Sequence, residues 1–451
     1  MRAFRRQHHQ EAASVLSGLD ATEQRITELY TKAAIEQLDS NQAPVRFGAL
    51  CALERLAQDS PAHRQTIVDV MCAYLRMPFS PTAPASNPEP GAAEGQESPD
   101  TEGETGADGI GGTWQQERQV RLTAQRIIAE HLRNDEAKDQ RSNDHPSSRF
   151  WDNIRLDLSG ATLIDFNLVN GVVTYADFHG AAFSGDASFD QATFGGAARF
   201  GGAIFGGAAR FGGAAFRGDA SFPEATFRED ALFDEATFRR VARFHSAAFG
   251  GLASFQRATF GGVAGFRKTT FIGDAGFGEA VLGGDAWFDN AAFGGEASFN
   301  RATFIGDTGF GETVFGGDAW FDKATFRRGV SFEGATFTGG VWFGETAFTG
   351  GAGFGEAVFG GDAWFDKATF RRGASFDEAA FGGDAGFGGA AFTGGVWFGD
   401  ATFRGGADAL HFEQTRILSP GASHMWPTGW RLADADGGGY AVVRANDDGG
   451  S

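Results

Sequence analysis

The stretch Phe183-Ser-Gly-Asp-Ala-Ser-Phe189-Asp-Gln-Ala-Thr-Phe194-Gly-Gly-Ala-Ala-Arg-Phe200-Gly-Gly-Ala-Ile-Phe205 decides the fold of this 451-residue chain, because its Phe spacing alternates between six and five. The alternation continues to Phe403 through forty-one positions, of which forty are Phe and one, Leu282, is not. A fixed period this long is the signature of a repeat array. A period near five fits neither a helix at 3.6 nor a strand at 2, so each repeat is a short extended piece plus a corner. Gly and Asp collect where the corners fall, as in Gly185-Asp186 and Gly273-Asp274, at positions with demanding backbone angles. A single repeat buries nothing alone, and stacking supplies both the hydrogen-bond ladder and the core.

Working back from Phe183, the centres run at strict fives: Leu158, Leu163, Leu168, Val173 and Phe178. Two residues before the later centres stands a small residue or its equivalent, at Ala161, Phe166, Gly171, Ala176 and Ala181. This resembles the pentapeptide-repeat family, whose motif is a central Leu or Phe with Ala two residues earlier. The resemblance covers residues 156–403 and implies an all-β solenoid, a right-handed quadrilateral β-helix whose central residue and preceding Ala point inward. From Phe183 onward the chain departs from the family's strict five. Phe-x-x-Ala-x-Phe alternates with Phe-x-Gly-x-Ala-x-Phe, so the coil is twenty-two residues and every second corner should be wider. Phe403 then lies ten coils beyond Phe183, a rod of roughly 50 Å.

The flanks read differently. Residues 20–79 carry helical periodicity of a HEAT-like kind. Asp20 and Glu23 cap a first helix with Ile26, Leu29, Tyr30, Ala33 and Leu38 on one stripe. Pro44 opens a second helix, Ser60-Pro61 a third, and Pro78 stops it. Residues 80–112 are Pro, Ala, Gly, Ser and acid without Lys or Arg, the composition of a disordered linker. A helix capped by Thr113 and a polar loop fill 113–149, the β-helix fills 150–404, and 405–451 reads as a C-terminal cap and flexible tail. In the tail, Leu418, Trp426, Pro427, Trp430 and Leu432 are suited to cover the last coil. Tyr30-Thr-Lys-Ala-Ala-Ile-Glu-Gln-Leu with Ala52-Leu-Glu-Arg-Leu-Ala-Gln also resembles bacterial pentapeptide-repeat proteins, many of which carry a membrane hairpin ahead of the helices. No such hairpin is seen here, so membrane attachment is not carried over.

Composition narrows the function. A formal charge of −20 argues against general nucleic-acid binding, which needs clustered cations. Cys51 and Cys72 frame neither a disulfide scaffold nor a metal site, and no apolar run is long enough for a membrane helix. The expectation is a cytoplasmic protein, or one held at the inner face of the membrane through a partner. The nine His are scattered, no nucleophile elbow or phosphate loop appears, and neither an enzyme nor a cofactor is expected.

With Phe and Ala inside, function belongs outside. The outward position before certain Phe holds Trp287, Trp320, Trp342, Trp364 and Trp397. Trp320, Trp342 and Trp364 are twenty-two apart and should form one column on consecutive coils, with Trp287 and Trp397 opposite. Arg327-Arg328 and Arg371-Arg372 share another position of the coil, as does Arg239-Arg240. Exposed aromatic clusters mark interaction sites, so the three Trp and four Arg are the candidate surface for a protein partner. From Thr269 to Phe403 the rod carries 18 acidic and 7 basic residues. The family resemblance therefore also allows a DNA mimic that regulates or protects a type II topoisomerase such as gyrase.

Overall fold

The computed structural model describes residue 25 and residues 36–80, 107–134, 149–435 and 439–445. The expected first helix lies outside the described residues except at residue 25 and at its end. So do residues 81–106 of the linker, the loop at 135–148 and the last residues of the tail.

Three α-helices precede the repeats among the described residues: α1 (Ala43–Asp59), α2 (Arg64–Leu75) and α3 (Ala107–Leu132). Pro44 sits in the first turn of α1, where its missing N–H costs nothing. A 3-10 turn at Pro61–His63 leads into α2. The third helix corrects the expected boundary. It starts at Ala107, so Thr113 is an interior residue and 107–112 are not linker. Once the packed run from Val120 has nucleated the helix, extension toward the N-terminus adds one hydrogen bond per residue. Leu50, Leu53 and Ala57 of α1, Ile67, Val68 and Met71 of α2, and Ala124, Ile127 and Ile128 of α3 form the shared core. Burial in that core pushes the Cys72 thiol up to about 12.

Behind the helices the chain is a β-solenoid with four faces. One coil runs through Ala198–Arg199 on the first face, Ile204–Phe205 on the second, Ala209–Arg210 on the third and Ala215–Phe216 on the fourth. Ala220–Ser221 then stacks on Ala198–Arg199, parallel and twenty-two residues on. The first face is a thirteen-strand sheet, from Arg155–Asp157 to His424–Met425, which gives the rod about twelve coils. The second and third faces share one sheet, because residues 162–167 and 182–188 run continuously around their common corner.

Phe fills the axis. Each ring stacks on its counterpart one coil away, from 4.5 Å at Phe183–Phe205 to 5.3 Å at Phe326–Phe348. Columns from opposite corners meet edge to face, as at Phe200–Phe211, with centroids 5.6 Å apart and planes at 90°. The inward Ala, such as Ala198 and Ala209, are fully buried beside them. Burying each ring is favourable by about 2–3 kcal/mol.

The two corner types solve different problems. At the five-residue corner the second residue after Phe is left-handed, with φ between 55° and 60° at Gln191, Glu235, Arg257, Lys323 and Glu345. The turn closes through the Ala N–H donating to the Phe carbonyl, at 3.0–3.1 Å in Ala192 to Phe189 and Ala236 to Phe233. At the six-residue corner Gly admits close stacking: a Cβ on Gly350 would collide with the Arg328 carbonyl one coil back. The wider corner absorbs the extra residue without disturbing pairing, since Ala215 still faces Thr237 and Phe216 faces Phe238.

Both ends are covered. At the N-terminal end, glutamine side chains act as peptide groups. Gln65 of α2 donates to the Arg155 carbonyl and accepts from its N–H (2.9 and 2.8 Å), and buried Gln125 of α3 does the same for Ile164 (2.7 and 2.9 Å). Each satisfies an edge strand that would otherwise stay open. At the C-terminal end the solenoid runs past residue 404, through Leu410–His411, Arg416–Ile417 and His424–Met425. A 3-10 turn at Gly406–Ala409 takes up an insertion, so Phe412 still stacks on Phe387 at 5.2 Å. The hairpin Trp430–Ala435/Gly439–Arg444 then pairs antiparallel with the last fourth-face strand, and Trp426 and Trp430 lie against Phe412.

Candidate interaction surface

The outward side chains of the solenoid divide into those that hold it together and those that do not. Half of the distal acidity belongs to the first group. Asp carboxylates sit at the corners, where strand pairing lapses and backbone N–H groups face the next coil. Asp190 accepts from Gly212 N–H at 2.7 Å, Asp318 from Gly340 at 2.9 Å, Asp322 from Gly344 at 2.7 Å and Asp366 from Gly388 at 2.8 Å. Thirteen Asp and Asn300 make this contact, always twenty-two residues ahead. Nine of the 18 distal acids are used in this way. The left-handed corner after the third face adds a ladder of opposite charges. Glu235–Arg257 (2.8 Å), Glu279–Arg301 (3.6 Å) and Lys323–Glu345 (3.9 Å) climb it in turn. Such exposed pairs are each worth little.

The tryptophans are placed otherwise. Trp320, Trp342 and Trp364 occupy the outward position of the third face on consecutive coils, in register. All three are half-buried. Trp320 and Trp342 stack at 4.2 Å with planes 12° apart. Trp364 leans the other way, over Gly386, where a Cβ would run into its ring, and reaches His411 at 6.4 Å. The column therefore parts between Trp342 and Trp364. Trp287 and Trp397 are on the first face, which is opposite.

Arg327, Arg328, Arg371 and Arg372 fall elsewhere. They follow the fourth-face strands Thr325–Phe326 and Thr369–Phe370 and are exposed at the corner leading back to the first face. The whole fourth face separates them from the Trp column. The candidate surface is thus two patches, one aromatic and one basic.

Spacing alone did not single out the carboxylate beside three of the five indoles. The triplet Trp-Phe-Asp occurs at Trp287–Asp289, Trp320–Asp322 and Trp364–Asp366. At the first of these the structure is complete. The Arg267 guanidinium lies over the Trp287 ring at 4.8 Å and its Nε donates to Asp289 Oδ2 at 2.9 Å. Burial holds the Asp322 carboxyl above the usual carboxylate range.

A concave feature lies apart from the rod. A groove of about 730 Å³ between α1 and α3 is lined by Pro44, Phe47, Trp114 and Val120, whereas the axis of the rod is occupied by buried Phe and Ala. Among the described residues no cluster of three or more His, Cys, Asp or Glu is placed to hold a metal ion, and no helix is long and apolar enough to cross a membrane.

Neither the curated proteins nor the solved structures gave a significant match to the chain. The family description "Pentapeptide repeats" matches it in nine overlapping copies, the first at residues 172–215 and the last at 365–408. These copies span more than half of the sequence and coincide with the four-faced coils. By this match and by its architecture, the chain belongs to the pentapeptide-repeat family.

Proposed function

We propose that the protein is a non-enzymatic scaffold that offers a rigid rod to a protein partner, with the third face around Trp320, Trp342 and Trp364 as the contact. One observation carries this reading: three half-exposed indoles stand in register on a single face. Indole is the side chain most often found at the energetic centre of an interface. A solenoid built on Phe stacks loses little entropy on binding, because its surface is already ordered. The Arg327, Arg328, Arg371 and Arg372 patch is a second, separate contact. The two free cysteines fit a reducing compartment, and a cytoplasmic setting, or one at the membrane's inner face through the partner, belongs to the same reading.

A photo-crosslinking residue at Ser298, next to Trp320 on the third face, tests it. Adducts from Ser298 in a lysate of the source cells, and none from Ser331 on the first face, are expected. Equal labelling from both positions would remove the third face as the contact.

The DNA-mimic reading has less support. Imitating phosphate needs ranks of carboxylates turned to solvent, and half of the distal acids, though still charged, turn one oxygen to corner N–H groups of the next coil. A gyrase supercoiling assay with purified protein decides it, and no effect at micromolar levels would dismiss it.

A further inference from the structure

The solenoid contains one occupied arginine site and two vacant copies of it. In the occupied copy, Trp287 lies over Gly309 one coil ahead, and a Cβ there would press on the indole. Asp289 uses Oδ1 to accept from Gly311 N–H at 3.1 Å, which leaves Oδ2 for Arg267, and that guanidinium also covers the indole. Cation and ring attract through the ring's quadrupole, and the carboxylate adds a charge-assisted hydrogen bond.

Trp364 and Asp366 repeat this arrangement on the third face. Trp364 lies over Gly386, and Asp366 Oδ1 accepts from Gly388 N–H at 2.8 Å. The position that corresponds to Arg267, twenty residues before the Trp, is Gly344. Asp366 Oδ2 has no partner among the described residues, and the parting of Trp342 from Trp364 opens the indole face where the guanidinium would lie. Trp320 and Asp322 form the third copy, with Asn300 in the place of Arg267. The two vacant copies belong to a fifteen-residue segment, Phe315 to Gly329, that recurs unchanged from Phe359 to Gly373 two coils later.

We propose that Trp364 with Asp366, and Trp320 with Asp322, each receive an arginine side chain from an extended segment of a partner protein. This rests on the scaffold reading and names the chemistry of its partner. Two coils span about 9.6 Å, and every third residue of a polyproline II strand recurs at about 9.3 Å on one side. An Arg-x-x-Arg segment in that conformation therefore matches both sites at once. The surrounding rod, with 18 acids to 7 bases between Thr269 and Phe403, favours a basic occupant over an acidic one. Arginine is preferred to lysine because its planar group can stack and bond the carboxylate together.

The test titrates the full-length protein with a fluorescein-labelled Pro-Arg-Pro-Pro-Arg-Pro peptide, read by anisotropy. The expected result is saturable binding that weakens at least tenfold in Trp364→Ser and in Asp366→Asn, the latter keeping the acceptor for Gly388. Asn300→Arg, which would supply the missing internal guanidinium to Trp320, should also weaken it. Trp397→Ser on the first face should leave it unchanged, and the lysine version of the peptide should bind less well. The proposal is overturned by absence of saturation at millimolar peptide, by equal affinity for the lysine peptide, or by equal loss in Trp397→Ser. If the peptide fails while Ser298 still yields adducts, the arginine assignment falls and the scaffold reading stands. If both fail, both fall.

Discussion

Aspartate at the corners is the residue whose role changes most between sequence and structure. As composition, the distal acids describe a negatively charged rod. In three dimensions half of them are acceptors for backbone N–H groups that the strand ladder leaves behind, as Asp318 is for Gly340 at 2.9 Å. An orphaned N–H at such a position costs on the order of 1–3 kcal/mol. Asp318→Ala should therefore lower stability by about 1–2 kcal/mol in urea unfolding, and Asp318→Asn, which keeps the oxygen, by much less. Equal losses would mean that charge, not the acceptor, matters there. The twenty-two-residue period was legible from Phe spacing alone, and with it the Trp register. The bonding of the Asp was not, because a carboxylate beside Gly looks the same in a string whether it meets water or the next coil's amide.

Among the elements, the fourth-face Phe column and the helical cap give the clearest expectations. Leu282 interrupts the column between Phe260 and Phe304 and is fully buried. Leu282→Phe restores two ring stacks of the kind seen at Phe238–Phe260 (4.8 Å). It should raise the melting temperature, by about 1 kcal/mol of added aromatic contact, and a fall would show that the coil is locally narrower there. In the cap, Gln125→Ala strips the Ile164 edge of both its partners, so amide exchange at Ile164 should accelerate while exchange at mid-rod strands does not. The cap is also pH-sensitive. Cys72 titrates near 9 when unfolded and about 12 when buried, and burial likewise pushes the Tyr74 hydroxyl up. The unfolded chain thus loses protons first as pH rises, and cap stability should fall from about pH 9 upward. Melting of the helical signal at pH 8 and pH 10.5 checks this. Helix existence here was readable from apolar stripes, but the start of α3 was not, since Gly109, Gly111 and Gly112 argue against a helix that hydrogen-bond propagation nonetheless carries back to Ala107. The C-terminal boundary was missed for a related reason. The insertion before Phe412 breaks the count of five and six, although the rings still stack.

At the scale of the whole molecule, the rod is a filled solenoid with a helical cap at one end and a hairpin at the other. Phe stacks fix its shape, corner carboxylates close its amides, and what remains uncommitted on the third face is the parted Trp column. The family and four-sided architecture could be read from the repeats. The division of the candidate residues into two patches could not, because it depends on which corner follows which face. The central claim is that the third face, and not the rod in general, meets a partner. It is tested most directly by affinity capture from a lysate of the source cells, run in parallel on three proteins: the natural chain, Trp320/Trp342/Trp364→Ser, and Trp287/Trp397→Ser. The account predicts a captured protein that is lost with the third-face variant and retained with the first-face variant, both variants melting close to the natural chain. Capture that survives loss of all three third-face indoles, or that both variants lose alike, would contradict it.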